Sequence, residues 1–130
     1  MKTAVKMASQ PCYEVYFDGA GMRPDGTGSG YSWINVTTGQ KRVIRIDGLT
    51  NNQSEYRGLL SSVKNLPEYG EANLNSDSQL VVYQFNRNWV VRDPKLQRLL
   101  DRVREVIRER HLKVTLRWVP RKENLAGKLL

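Results

Sequence analysis

The sequence predicts one α/β domain in which helices cover a mixed five-stranded sheet. Three observations support this prediction. Three runs rich in β-branched and aromatic residues follow one another within the first 46 positions. Apolar residues then recur at helical spacing in three stretches, which alternate with two further strand-like runs. The resulting β-β-β-α-β-α-α-β order, in 130 residues, is typical of a single domain with helices packed on a mixed sheet.

The first three strands are predicted at residues 13–17, 30–36 and 41–46. A glycine-dense polar turn separates the first two strands, and the segment TTGQ before the third indicates a hairpin turn. Strands this close in sequence imply an antiparallel meander. Residues 1–11 precede the meander, and we expect them to form an irregular segment of the single domain 1–130.

The first helix is predicted to begin near Ser54 and to stop at Pro67. Between these points the apolar residues recur every three or four positions, at Tyr56, Leu59, Leu60, Val63 and Leu66. A short strand over residues 71–75 and a helix over about 76–85 follow.

The pair Asp93-Pro94 is typical of a helix start, with the aspartate as N-cap and the proline in the first turn. An apolar stripe between Leu96 and Ile107 predicts an amphipathic helix that reaches about Arg110 and packs on the core. Residues 113–119 alternate as a strand does. Trp33 and Trp118 lie within predicted strands and are expected in the core.

Composition excludes several classes of protein. The hydrophobic fraction of 39% and charged fraction of 26% are typical of a folded soluble chain. No apolar run approaches the roughly 20 residues that cross a bilayer, and the first ten residues lack a signal-peptide core. Cys12 is the only cysteine, so an internal disulfide and a multi-cysteine zinc site are excluded. We therefore expect a cytoplasmic protein without a membrane partner, and a monomer, since no feature demands an oligomer.

The net charge of +8 is concentrated in one part of the chain. Residues 1–80 hold 8 basic and 8 acidic residues, whereas residues 81–130 hold 13 basic and 5 acidic residues. Such a basic half predicts a polyanion-binding face, with nucleic acid as the leading partner, although a charged surface that serves only solubility is the simpler alternative. The glycines between positions 19 and 30 do not match a phosphate-binding loop, so no nucleotide cofactor is expected.

Three acidic residues stand at the ends of predicted elements. Asp18 ends the first strand, Glu55 lies in the first turn of the following helix, and Asp77 lies where the fourth strand gives way to a helix. Each has a structural explanation, as a turn residue or as a charge that suits the positive end of a helix dipole.

The segments YFDGAG, LTNNQSEYRGLL, NSDSQLVV and RWVPRKEN, in this order, resemble the type 1 ribonuclease H family. The resemblance spans residues 13–124 and implies the ribonuclease H-like fold. It also implies hydrolysis of the RNA strand of an RNA–DNA hybrid with two divalent ions, Mg²⁺ or Mn²⁺. In this scheme Asp18 bridges the ions, while Glu55 and Asp77 complete one ion each.

The family pattern ends with a fourth acid, and the sequence departs from it there. After Val119 the chain reads PRKENLAGKLL, so the acid's place falls on Gly127 or Lys128. The expectation is that Asn124 supplies its amide oxygen as a neutral fourth ligand, which would weaken one ion site. The alternatives are that three carboxylates suffice and that Asn124 merely caps a short helix.

Recognition of the hybrid is assigned by the same resemblance. Asn51 and Asn52 match residues that sense ribose 2′-hydroxyl groups, Thr50 matches a phosphate contact, and Gln53 could assist. An ordinary polar helix start would also explain these four residues.

Two further residues are candidates for backbone contacts. Trp89, among basic residues, could lie along the DNA backbone or pack in the core, and Arg121, or Lys122, could contact phosphate. His111 follows the long helix, where a cation suits the helix C-terminus, so no catalytic role is expected for it.

Two other readings of the whole chain stay open. One is a weak or inactive module of the same fold that binds hybrid or structured RNA. The other is a related nuclease or a domain of a reverse transcriptase.

Overall fold

The computed structural model describes residues 10–130, which form one five-stranded sheet with helices packed against it. The strands are β1 (Cys12–Ala20), β2 (Gly30–Asn35), β3 (Lys41–Arg45), β4 (Glu71–Ser76) and β5 (Lys113–Trp118). Their order across the sheet is β3-β2-β1-β4-β5. The β1–β2 and β2–β3 pairs are antiparallel, whereas β1–β4 and β4–β5 are parallel. The sheet is therefore mixed, as the sequence predicts.

Within residues 10–130, three α-helices connect the strands, and two short 3₁₀ helices follow β5. The α-helices are α1 (Asn51–Lys64), α2 (Gln79–Phe85) and α3 (Pro94–Glu109). The 3₁₀ helices span Arg121–Glu123 and Leu125–Leu129. The second 3₁₀ helix contacts β1 and β2, so the end of the chain returns to the centre of the sheet.

The core lies between the sheet and α1 and between α1 and α3. α1 and α3 contact each other extensively, and α1 crosses β1 and β2. The stripe predicted on α3 faces inward, since Leu96, Leu100, Val103 and Val106 are buried. The largest fully buried apolar side chains are Tyr56, Phe17, Leu59, Leu66, Leu74 and Leu100.

The element order is confirmed, and the differences lie at the element ends. α1 begins at Asn51 rather than Ser54, because Thr50 caps it and forms a reciprocal capping box with Gln53. α2 begins at Gln79, with Ser78 as its cap, which leaves Asp77 in the connection from β4.

One core prediction is wrong. Trp33 is buried, but Trp118 is 42% exposed and its indole N–H donates to the carbonyl oxygen of Asp77 at 3.2 Å. Trp118 shares a face of β5 with the buried Leu116, but it is the last residue of an edge strand, where the core no longer covers it.

Only the last two residues of the predicted irregular segment, residues 1–11, fall within the described residues. Residues 10 and 11 precede β1, while the rest of the predicted irregular segment lies outside the described residues. No helix between residues 10 and 130 has the length and apolar character needed to cross a membrane.

Candidate active site

The end of β1 and the start of α1 are held in direct backbone contact. A Cβ atom on Gly19 would meet the backbone of Ser54 and Glu55 closer than real Cβ atoms come to other atoms. The Ser54 hydroxyl also donates to the carbonyl oxygen of Ala20 at 2.9 Å. Only glycine permits this approach, and it places Glu55 beside Asp18.

Asp18 and Glu55 form a buried carboxylate pair with unused oxygens. They are 3% and 4% exposed, and neither Asp18 Oδ1 nor Glu55 Oε1 has a hydrogen-bond partner. Burial, reinforced by the charge of Asp77, raises the pKa of Asp18 to about 6. Burial and the charges of Asp18 and Asp77 raise the pKa of Glu55 to about 9. Uncompensated buried acids of this kind are costly to the fold, which is typical of functional sites.

Asp77 joins this pair from the end of β4, and both of its oxygens are engaged. Its Oδ1 accepts from the Asn124 amide nitrogen at 2.6 Å, and its Oδ2 lies 3.1 Å from Arg121 Nη1. Since Asp77 raises the pKa of both other acids, the structure brings all three carboxylates into one electrostatic cluster. β1 and β4 are adjacent and parallel, so their ends meet at the same edge of the sheet.

Asn124 holds this edge together through its amide nitrogen. Besides Asp77, that nitrogen donates to the carbonyl oxygen of Phe17 at 2.9 Å. The amide oxygen accepts from the backbone N–H of Ala126 at 3.1 Å and caps the last 3₁₀ helix. The geometry therefore differs from the expected fourth ligand, because the oxygen that would bind a cation is used by the cap.

Gly127 lies where a fourth acid could stand. A Cβ atom at this position would be 3.2 Å from Asp18 Oδ2. Gly127 and Lys128 line the same cleft as Asp18 and Asp77. Of the two positions named from the sequence, Gly127 is thus in contact range of the carboxylate cluster.

The described part of the chain contains no preformed group of metal-binding side chains. Among residues 10–130, no group of three or more His, Cys, Asp or Glu side chains is arranged to hold an ion. The engagement of Asp77 by Asn124 and Arg121 gives a physical reason. The oxygens that remain free are Asp18 Oδ1 and Glu55 Oε1, which are hard donors of the type that Mg²⁺ and Mn²⁺ prefer.

The residues expected to bind the hybrid surround the start of α1. Thr50 and Gln53 hydrogen-bond each other. The Gln53 N–H donates to Thr50 Oγ1 at 3.1 Å, and the Thr50 N–H donates to Gln53 Oε1 at 2.9 Å. Asn51 is exposed and borders a second cleft that also contains Asp18 and Arg121. Asn52 is half-buried.

Trp89 and Arg121 are both accessible. Trp89 is about half exposed and packs edge-on against Tyr83, with ring centroids 5.0 Å apart, so it does not lie in the core. Arg121 is 83% exposed even though it contacts Asp77.

Two basic residues near the site are not predicted to act there, although the sequence names Lys128 as a possible place of the missing fourth acid. Arg45, at the end of β3, lines the cleft that contains Asn51 and Arg121, and Lys128 lines the cleft of the carboxylates. The basic half of the chain already contains Lys128, but Arg45 comes from the neutral half. Only strand order brings Arg45 near the site, so no local sequence signal could have indicated it.

Comparisons with known proteins identify the family of the chain. A model of the reverse transcriptase-like family matches residues 34–130. Ribonuclease HI of Halobacterium salinarum is 33% identical over 100 residues, which cover 72% of this chain and 49% of that protein. The bifunctional protein Rv2228c of Mycobacterium tuberculosis is 31% identical over 111 residues, which cover 80% of this chain and 30% of that protein. The chain thus spans about half or less of the length of these relatives.

Solved structures extend the likeness to the fold. The crystal structure of RNase H1 from Halobacterium salinarum superposes with a TM-score of 0.79 and 30% identity, covering 92% of this chain and 94% of that one. LC11-RNase H1, solved in complex with an RNA/DNA hybrid, gives a TM-score of 0.79 and 25% identity, covering 90% of this chain and 92% of that one. The chain therefore belongs to the reverse transcriptase-like family, as a ribonuclease HI-like member with the ribonuclease H-like fold.

Proposed function

We propose that the protein is an endonuclease that hydrolyses the RNA strand of RNA–DNA hybrids at the cluster of Asp18, Glu55 and Asp77. The observation that carries the proposal is the convergence of the buried Asp18 and Glu55 with the half-buried Asp77, with two oxygens of the buried pair unused. The likeness to ribonucleases H, one of them in complex with an RNA/DNA hybrid, supports the choice of substrate.

The donor set fits divalent cations. Carboxylate oxygens that are buried and lack hydrogen-bond donors are poorly stabilised without a positive charge nearby. Asp18 and Glu55 would hold such ions directly, and two ions, Mg²⁺ or Mn²⁺, are the occupants that we propose. Bound ions of this kind lower the pKa of a water molecule and stabilise the attacking and leaving oxygens of a phosphodiester.

Asn124 acts here as a positioning residue. Its two donated hydrogen bonds tie the Asp77 carboxylate to the backbone of β1, so Asp77 faces Asp18 in one defined orientation. Arg121 neutralises Asp77 and is exposed, which lets the same guanidinium reach a phosphate group of the substrate.

The hybrid is proposed to lie across the start of α1 and the α2–α3 connection. The exposed Asn51 and the half-buried Asn52 can hydrogen-bond ribose hydroxyl groups, while Thr50 and Gln53 fix the helix start through their capping box. Trp89 offers an accessible ring to the DNA strand. Contacts to sugars and phosphates carry little base information, so cleavage should be largely independent of sequence and strongly salt-dependent.

Three observations favour a second candidate, a hybrid-binding module with weak or absent cleavage. Asn124 uses its oxygen for a helix cap, Arg121 already pairs with Asp77, and position 127 carries no side chain. Each of these reduces the number of oxygen ligands for cations relative to a site with four acids.

One assay separates the two candidates. Hybrid labelled on the RNA strand is incubated with Mg²⁺ and separately with Mn²⁺, using the wild-type protein, Asp77→Asn and the matched control Asp25→Asn, which alters an exposed loop acid. The endonuclease proposal predicts internal cleavage that Asp77→Asn reduces by about a thousandfold and Asp25→Asn leaves unchanged. Retention of the hybrid without cleavage in either metal would instead identify the binding module.

A further inference from the structure

A second basic groove lies outside the carboxylate site, between the second half of α3 and the first half of β5. Its cavity volume is about 590 Å³. Its walls are cationic and its floor is apolar. The lining includes the cations Arg87, Arg104, Arg108 and Lys113, with His111 beside them.

The groove contains no acidic residue, and its cations are not neutralised. In the chain from residue 10 onwards, none of Arg87, Arg108 and Lys113 forms an ion pair. Glu105 and Glu109 of α3 pair with Arg102, which does not line the groove.

Arg104 lies close enough to Arg87 for their like charges to interact. Its guanidinium donates to the carbonyl oxygen of Phe85 at 3.3 Å, which holds it at the groove wall. Partial burial and the nearby charge of Arg87 lower the pKa of Arg104. A bound anion would relieve this like-charge contact.

The backbone of β5 opens into the same groove. The N–H groups of Lys113 and Val119 donate to β4 or its flanking residue, at Gly70 and Ser76, so the odd-numbered residues of β5 face β4. The backbone N–H and C=O groups of the even-numbered residues point away from β4. On that side the Leu116 carbonyl oxygen accepts a hydrogen bond from the Asn86 side chain at 3.1 Å. Val114 faces outward too and lines the groove.

β5 is an edge strand of the sheet formed by residues 10–130, so no strand pairs with Val114 on its outer side. An open edge of this kind is a template for an additional strand. The half-buried Phe85, Ile107 and Val114, with the buried Leu112, provide apolar surface directly beside it.

We propose that this groove docks an extended acidic peptide segment of a partner protein, which adds a sixth strand next to β5. Carboxylates of the peptide would pair with the cationic walls, apolar side chains of alternate residues would contact the floor, and its backbone would bond to Val114. This is the strand-addition mode of peptide recognition, in which main-chain bonds give affinity and side-chain pockets give specificity.

A peptide fits the groove better than a nucleic acid strand does. A single nucleic acid strand is held by stacking its bases on exposed aromatic side chains along a basic path. Here the floor is mainly aliphatic, and its one aromatic residue, Phe85, is half-buried. The outward N–H and C=O of Val114 match a peptide backbone and have no counterpart in a sugar-phosphate chain.

The test measures binding of a fluorescent peptide of alternating Glu and Val residues, without hybrid or metal ion, so its outcome does not depend on the proposed nuclease activity. Two further probes are the same peptide N-methylated at every Val, which keeps the charge but loses N–H donors, and a single-stranded oligodeoxynucleotide of equal charge. The variant is Arg108→Glu with Lys113→Glu. The matched control is Lys41→Glu with Arg42→Glu, which makes the same charge change on the opposite edge strand.

The proposal predicts that the peptide binds the wild type and the control with equal affinity. The double variant at residues 108 and 113 should weaken binding by about tenfold or more, and N-methylation should do the same. Circular dichroism confirms that both double variants are folded. The proposal is overturned if the peptide does not bind, if N-methylation has no effect, or if the oligonucleotide binds more tightly through the same two residues.

Discussion

The two halves of the carboxylate site are built in different ways. Asp18 and Glu55 are held together by direct packing of the β1 backbone on the α1 backbone, and each retains an unused oxygen. Asp77 is held by side chains instead, by Asn124 on one oxygen and Arg121 on the other. The first half is fixed by backbone packing and has oxygens without partners, whereas both oxygens of the second half have side-chain partners.

Two glycines mark this difference. Gly19 is required in the first half, because any side chain there would collide with the backbone of α1. Gly127 in the second half leaves room beside Asp18, where a side chain would meet only the Asp18 carboxylate. The comparison teaches that backbone packing fixes where Asp18 and Glu55 lie, although their burial is costly, whereas side chains position Asp77.

The largest effect is expected for Gly19→Ala. The added methyl group must push α1 away from β1, and overpacking against backbone should lower the free energy of unfolding by about 2–4 kcal/mol. Urea unfolding measures this. Gly39→Ala is the control, because Gly39 has a positive φ of 82° but nothing within 4 Å of its added Cβ, so only backbone strain of about 1 kcal/mol applies. Equal losses in the two variants would contradict the rigid contact.

Glu55→Gln is expected to raise the free energy of unfolding of the metal-free protein, by less than Gly19→Ala lowers it. The pKa of Glu55 is raised to about 9, so the folded state holds this proton more tightly than the unfolded chain does. The free energy of unfolding should therefore fall as the pH rises from about 4 to about 9. Glutamine removes this dependence.

The variant should accordingly be about 1–3 kcal/mol more stable than the wild type at pH 8, and the advantage should disappear near pH 4. Urea unfolding in the presence of a chelator, across this pH range, measures the difference. Parallel pH profiles for the two proteins would show that Glu55 is not the buried acid described here.

The smallest effect is expected for Gly127→Asp, and it concerns the metal concentration that cleavage requires. A carboxylate at position 127 would stand next to Asp18 Oδ2 and add an oxygen ligand that the site lacks. Added ligand charge tightens cation sites, so the Mg²⁺ concentration for half-maximal cleavage should fall by about three- to tenfold. Gly127→Asn has nearly the same size without the charge and serves as the control. An identical shift in both variants, or no shift, would show that position 127 does not border the metal site.

Most of the fold could be predicted because its elements have clear periodicity. The helix over Pro94–Glu109 has an N-cap, a proline in its first turn and a continuous apolar stripe. The start of α1 was placed three residues late, because its first turn is polar and shows no apolar periodicity. Trp118 was misassigned because alternation along a strand does not reveal which strand lies at the sheet edge.

The site was predictable only in part. Single acids at element ends have ordinary structural explanations, and the four-segment resemblance, rather than spacing, singled out Asp18, Glu55 and Asp77. The role of Asn124 depends on which of its amide atoms meets the carboxylate, and that orientation is fixed by the Phe17 carbonyl and the Ala126 N–H. The Phe17 carbonyl is 107 positions away, so no local pattern could reveal it, whereas the cap to Ala126, two positions away, is the helix cap that the sequence offers as an alternative.

Calorimetric titration of Mn²⁺ into the metal-free protein at pH 7 tests the central claim most directly. If the three acids share a cation site, the wild type binds Mn²⁺ and releases protons, because Glu55 and part of Asp18 are protonated beforehand, so the heat changes with the ionisation enthalpy of the buffer. Asp18→Asn should abolish this binding, and Asp25→Asn should retain it. Binding to Asp18→Asn that matches the wild type in affinity and proton release would contradict the account.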